Sequence, residues 1–167
     1  RANGASSINV AYTPCGHLLQ DVAALTVLAD LTRDLPAAVV CLPWVGGSLL
    51  GVRSISTAAA WTALTAAFGN ARHSEVVTVD KDQPLEPGQV KKLLELTSGI
   101  MALAADQKAA MAAAAVRERE IIQMEARSIV HRVLELGQGQ VATGLERALI
   151  EGSLDIPLAA AGLCRGQ

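Results

Sequence analysis

Glu135-Leu136-Gly137-Gln138-Gly139, continuing through Gln140 to Glu151 and Gly152 into Leu154-Asp155-Ile156-Pro157-Leu158, is the stretch whose reading decides the fold. It predicts a helix that stops at Gly137, a short helix from about Gln140 to Glu151 stopped by Gly152, and then a buried strand at 154–158. Glycine just past the last periodic residue is a common left-handed helix stop, because it has no Cβ to clash there. Pro157 has no N–H to give a ladder, so the strand is expected to end or bend at that point. Asp155 lies within an otherwise apolar run and needs either a partner or a site to serve.

The rest of the chain must supply neighbours for that strand. Ile8-Asn9-Val10-Ala11-Tyr12-Thr13 alternates as a strand does, and Pro14 with Gly16 ends it. From His17 to Arg33 the period becomes helical: Leu18, Val22, Leu25 and Leu28 or Ala29 share a face, with Gln20, Asp21, Asp30 and Arg33 opposite. Pro36 breaks the chain before Ala38-Val39-Val40-Cys41-Leu42, a continuous apolar run typical of a strand covered on both faces. That makes one βαβ unit.

The pattern then repeats. Ser56 or Thr57 can cap an Ala-rich helix running to Phe68 and stopped by Gly69, and Glu75-Val76-Val77-Thr78-Val79 reads as the third strand. A helix at Gly88 to Ala104 carries Val90, Leu93, Leu94, Thr97, Ile100 and Met101 as its stripe. A longer helix, from about Gln107 to Leu136, carries Ile122, Ala126, Ile129, Val133 and Leu136. Four strands near 8–13, 38–42, 75–79 and 154–158, each joined through helix, imply an α/β fold with a parallel sheet and outer helices. No Gly-x-Gly-x-x-Gly turn follows a strand, so Rossmann-type nucleotide binding has no support. Four strands cannot close a parallel barrel, which uses eight; a barrel reading makes residues 1–167 a single, partial barrel domain.

Composition narrows the function. With 14 basic residues against 16 acidic, and only Tyr12, Trp44, Trp61 and Phe68 aromatic, the chain has neither the charge nor the stacking surface for nucleic acid. Cys15, Cys41 and Cys164, odd in number and widely spaced, predict a reducing, cytoplasmic setting rather than a disulfide framework. The uncharged stretch Leu35 to Val52 is broken by Pro43, Gly46 and Gly47, and Ser54 to Ala71 is rich in Ser, Thr and Ala. Neither predicts a membrane span.

Three sets of residues match a known family in its order. They are Ile8-Asn9-Val10-Ala11-Tyr12 with Gly16-x-Leu18-x-Gln20-Asp21-x-Ala23-Ala24; Trp44-x-Gly46-Gly47; and Glu135-Leu136-Gly137-x-Gly139 with Ala142, Gly144, Gly152 and Leu154-Asp155-Ile156-Pro157. On these the chain resembles the C-terminal half of the epsilon (large, barrel) chain of cobalamin-dependent glutamate mutase, also called methylaspartate mutase. The resemblance implies the C-terminal half of a (β/α)8 TIM-type barrel, with adenosylcobalamin over the strand ends and a separate small cobalamin-binding subunit as partner. It implies radical carbon-skeleton isomerisation between L-glutamate and threo-3-methylaspartate. The substrate-clamping residues of the family belong to its N-terminal half, so the missing barrel half or a second copy is expected as a further partner, and the chain alone should not turn over glutamate.

Departures from the family pattern are equally specific. Where the family follows Trp-x-Gly-Gly with an aromatic-Pro-acidic segment that meets the cofactor, this chain has Ser48-Leu49-Leu50. Val79 and Gln83 stand in a gapless alignment where the family has a Lys and a Glu near the adenosyl group; Lys81 and Glu86 could substitute if the loop shifts. The cofactor-binding residues implied are therefore Trp44, Gly46, Gly47, Lys81 and Glu86.

Structural readings stand beside these. Trp44 with Gly46 and Gly47 reads equally as a cofactor wall or as a tight turn. Asp155 reads as a structural acceptor more readily than as a cofactor contact. Cys15, His17 and Cys41 lie at strand ends, where barrel enzymes place chemistry, but lack the paired spacing of a metal site, so small buried cysteines and no metal are expected. His73 and His131 have no recognisable partner in sequence. Arg117-Glu118-Arg119-Glu120 reads as a solvated helix face, and Met101 to Ala115 as a close helix contact or a fraying surface helix. A diverged, non-catalytic barrel homologue acting as scaffold or binding partner is the alternative function, with an unrelated α/β module behind it. Open sheet edges predict that the isolated chain self-associates.

Overall fold

A computed structural model describes residues 6–42, 54–76, 79–80 and 83–154. Trp44, Gly46, Gly47 and Lys81 lie outside the described residues, as do Ser48, Cys164 and all but Leu154 of the strand expected at 154–158; Leu154 itself lies in a bend, its N–H on Ala148 O at 3.0 Å. The chain divides into two compact units, Arg1–Ile122 and Gln123–Gln167.

In the first unit β1 (Ile8–Tyr12), α1 (Leu18–Leu31) and β2 (Ala37–Cys41) form the expected βαβ. β1 and β2 pair in parallel from Ile8 opposite Ala37 to Tyr12 opposite Cys41. α2 (Ile55–Phe68) leads to β3 (His73–Ser74), which pairs in parallel with β2, giving the order β1-β2-β3. α2 is capped by the Ser54 hydroxyl, which accepts from Thr57 N–H at 3.5 Å, two or three residues ahead of the expected Ser56 or Thr57. Both crossover helices pack on the same face of the sheet: Leu25 of α1 and Ala66 of α2 meet Val39, Cys41 and Tyr12 in one core cluster. A doubly wound sheet places successive helices on opposite faces. Here the other face carries Asn9 and Ala11, which are exposed, and Val40, which is buried.

The third strand, β3, starts two residues before the expected Glu75 to Val79, of which Val77 and Thr78 lie outside the described residues. Asn70, at φ 61, takes the left-handed turn after α2, and Arg72 N–H then reaches Val39 O at 2.9 Å, so pairing begins at His73. Glu75 N–H still reaches Cys41 O at 3.0 Å. Val79, expected in that strand, instead lies in β4 (Val79–Asp80), antiparallel to β5 (Gln83–Pro84). Gly69 stops α2 as expected, but at φ −80. Its lack of a side chain serves packing, because a Cβ there would lie 2.6 Å from Leu25 Cβ.

α3 (Pro87–Ala104) matches its expected span. Of its stripe Leu93 and Thr97 are buried, whereas Leu94 is half exposed. The long helix expected from Gln107 to Leu136 is broken. A 3-10 turn at Ala105–Gln107 and a kink at Ala115 separate α4 (Lys108–Ala114) from α5 (Val116–Leu136). The break follows packing: Ala115 and Met111 join Val22, Ala23 and Phe68 in a core cluster, and the helix bends to seat them. An alanine run has no side-chain stripe of its own to oppose that bend.

In the second unit α5 is followed by α6 (Val141–Ile150), close to the expected Gln140 to Glu151. The left-handed residues after α5 are Gln138 (φ 50) and Gly139 (φ 87), not Gly137. Gly137 and Gly144 serve close approach instead. A Cβ on Gly144 would lie 1.9 Å from Val133 O, and one on Gly137 2.1 Å from Gln140 O. Arg132 clasps Glu151 through Nε at 2.8 Å and Nη2 at 3.0 Å, and Arg147 donates to Leu136 O at 2.7 Å. Among the described residues no helix is long and apolar enough to cross a membrane.

Candidate functional site

The polar chemistry of the first unit gathers where β1 and β2 end and α1 begins. After Tyr12 the chain passes through Thr13-Pro14-Cys15, turns at Gly16 with φ 97, and enters α1 through His17 as N-cap. The His17 Nδ1 accepts from Gln20 N–H at 3.4 Å. Asp21 follows in the first turn of α1. Sequence periodicity places it on the polar, outward face, yet it is fully buried.

Its carboxylate is saturated. Oδ1 accepts from Tyr12 Oη at 2.7 Å and from Cys15 N–H at 2.7 Å; Oδ2 accepts from Gly16 N–H at 3.1 Å and from Trp61 Nε1 at 3.1 Å. Two oxygens offer about four lone-pair positions, so all of them are used. The four donors come from β1, the loop and α2, which ties three parts of the unit to one side chain of α1. Burial, reinforced by the hydrogen bond to Asp21, pushes the Tyr12 hydroxyl well above the usual phenol range. Burial, and then Asp21, also raise the Cys15 thiol, and burial followed by the Asp21 charge pushes Cys41 up to about 12. Both thiols are thereby held as weak nucleophiles near neutral pH.

Of the sequence-derived candidates, Cys15 and Cys41 both come under the influence of Asp21, but only Cys41 is the buried cysteine expected; Cys15 is exposed. His17 is a helix cap and exposed. His73 pairs with Val40 in the sheet and His131 is exposed on α5. Glu86 is the exposed N-cap of α3, where its N–H donates to Gln89 Oε1 at 3.0 Å. Helices in a βα unit start where strands end, so His17 and Ser54 cap helices that run back from the strand-end side, whereas Glu86 caps a helix that follows the separate antiparallel pair β4–β5. Within the charged run, Arg119 reaches Asp30 at 2.5 Å.

Asp21 was the residue that periodicity missed. The available signal was an acid in the first helical turn directly after a strand-end glycine, inside a block already singled out for its family likeness. On the helix side of the sheet, an apolar hollow of about 590 Å³ is lined by Leu18, Trp61, Leu64, Phe68, Leu103 and Met111 among others. Trp61 thus belongs both to that hollow and to the Asp21 cluster.

Comparison with known proteins gives this geometry a family. A family model described as methylaspartate mutase E chain (MutE) matches residues 1–167. The glutamate mutase epsilon subunit of Desulfitobacterium hafniense (strain Y51) is 30% identical over 168 residues, which cover 95% of this chain and 35% of that protein. The subunit of the same name from Yersinia enterocolitica is 28% identical over 170 residues, covering 95% and 35%, and that from Halobacterium salinarum 29% over 165 residues, covering 92% and 33%. The chain therefore spans about a third of the length of the curated relatives it matches. With residues 1–167 matched by the family model, this chain belongs to the methylaspartate mutase E chain family.

Proposed function

We propose that the chain is the C-terminal part of the catalytic (β/α)8 barrel of an adenosylcobalamin-dependent glutamate mutase, which interconverts L-glutamate and threo-3-methylaspartate. The observation that carries the reading is the family match over residues 1–167. The winding agrees with it: β1, β2 and β3 step in one direction with α1 and α2 on one side of them, which is the condition for a sheet to curl into a barrel. The face with Asn9, Ala11 and the buried Val40 is then the barrel interior, and the edge of β1, unpaired among the described residues, is where strands from the other barrel half, or from a second copy, would pair.

The strand-end side suits a large, flat cofactor. The exposed loop turns through Gly16 without a side chain to obstruct it, and Glu86 offers an exposed carboxylate at the start of α3. When bound, adenosylcobalamin supplies the radical chemistry that moves hydrogen to and from the substrate, while the protein contributes positioning and exclusion of water. Trp44, Gly46, Gly47, Lys81 and Glu86 are the residues proposed to hold it, with a small cobalamin-binding subunit as partner. Ser48-Leu49-Leu50, Val79 and Gln83, which depart from the family pattern, favour the second reading of a scaffold that has lost the cofactor.

One experiment separates the two. The natural protein carrying this chain is mixed with a small cobalamin-binding subunit and adenosylcobalamin, and cobalamin absorbance is followed through gel filtration while NMR follows glutamate. Co-elution with turnover supports the mutase. Assembly with the small subunit but without cobalamin supports the scaffold.

A further inference from the structure

Asp21 is buried, saturated and placed at the strand-end side, and these three facts together limit what it can do. A carboxylate whose lone pairs are all taken by Tyr12, Cys15, Gly16 and Trp61 has none left for a ligand. Any functional role must pass through the groups it holds. Two of those groups are the consecutive N–H groups of Cys15 and Gly16, at the tip of an exposed loop.

The other end of the same helix shows what a purely connecting turn looks like. From Thr32 to Pro36 the chain is closed by backbone hydrogen bonds such as Leu35 N–H to Thr32 O at 2.9 Å, and Leu35 is left 51% exposed. No buried side chain ties that turn down among the described residues. Burying a carboxylate is costly and justified only when every lone pair is satisfied. That cost falls on the loop at the strand ends alone.

We propose that Asp21 is a positioning residue for cofactor binding: it holds the loop from Thr13 to His17 as a preformed surface against which adenosylcobalamin docks. The inference rests on the mutase reading above. The tip offers Gly16, bare of side chain, and His17, whose Nδ1 is occupied as an acceptor; the neutral ring therefore carries its proton on Nε2. An Nε2–H donor suits the amide carbonyls around a corrin ring. A loop already fixed pays no ordering entropy when the ligand arrives, so the contribution of Asp21 is read in cofactor affinity rather than in the chemical step.

The test is an absorbance titration of adenosylcobalamin into the natural protein with its small subunit, for the parent, Asp21→Asn, Tyr12→Phe and Trp61→Phe. The two conservative variants each remove one donor and leave the carboxylate, so they decide the matter where Asp21→Asn fails to fold. Cofactor affinity should weaken on the order of tenfold in Asp21→Asn and severalfold in the other two, with kcat at saturating cofactor falling by a smaller factor than affinity in each. Folded variants that bind cofactor as the parent does, or that lose kcat with affinity intact, overturn the inference and leave the mutase reading standing. A parent that assembles with the small subunit yet binds no cofactor overturns both.

Discussion

Helix α1 carries an aspartate near each end, and the two are opposite in every physical respect. Asp21, at the strand-end side, is buried and takes four neutral donors from β1, the loop and α2. Asp30, at the other side, stays partly solvated and pairs with the charged groups Arg33 and Arg119, the latter at 2.5 Å. A solvated pair gains little, because water screens it and long side chains must be held still. A buried carboxylate is worth much more to its surroundings than to itself, since its loss strands every donor that faced it. The contrast locates the end of the unit where geometry is held tightly, and it can be broken or sharpened by substitution.

The largest effect is expected at Asp21. Asp21→Ala leaves the Tyr12 hydroxyl, two peptide N–H groups and the Trp61 indole without an acceptor, and should cost about 3–5 kcal/mol in urea unfolding, as removal of one partner from a buried polar network does. A loss under about 1 kcal/mol would mean that water takes over as acceptor and that the cluster is not a fixed one. Trp61→Phe comes next. It deletes one hydrogen bond to a charged group and should cost about 1.5–3 kcal/mol. A chemical readout sharpens the same comparison: Cys15 is raised first by burial and then by Asp21, so Asp21→Asn should lower its apparent pKa and speed alkylation at a fixed, mildly alkaline pH. An unchanged pH profile would remove Asp21 from the list of causes. Asp30→Ala, at the solvated end, should cost no more than about 1 kcal/mol, and less in high salt.

The two aspartates also mark what a single sequence reveals. The βαβ frame was legible, β1, α1 and β2 falling within two residues of expectation, because alternation and a 3.6-residue period are local properties. Asp21 was not legible as a buried residue. Its outward assignment came from the same periodicity, but the donors that bury it sit up to 40 residues away on Trp61. The start of the third strand was displaced for a related reason. Glu75 to Val79 has the stronger strand composition, yet where pairing starts is set by the Asn70 turn and by Val39 O on the neighbouring strand. Ala-rich sequence promised one long helix, and the docking of Met111 and Ala115 on α1 and α2 bent it. Residues named by family likeness fared by a different rule. Asp21 and Gly144 turned out to be structural pivots, and Glu86 a helix cap, none of which the likeness itself explains.

The smallest expected effect belongs to a third carboxylate, Glu151, which resembles Asp30 rather than Asp21. Arg132 hydrogen-bonds it through two nitrogens, and with Ser153 holds its carboxyl below the usual carboxylate range. A lowered folded-state pKa means that the pair stabilises fully above the unfolded value near 4.5, and that this contribution is lost as pH falls through the lower folded value. Arg132→Ala should therefore separate from the parent in unfolding midpoint near neutral pH and low salt, and converge with it in acid. The gap should also narrow as salt is added, since both side chains face water. A gap that persists in acid would show that Arg132 acts through its aliphatic stem rather than through charge. In that case the charge of this pair would contribute nothing measurable to the second unit, and Asp30→Ala would decide whether the same holds at the solvated end of α1.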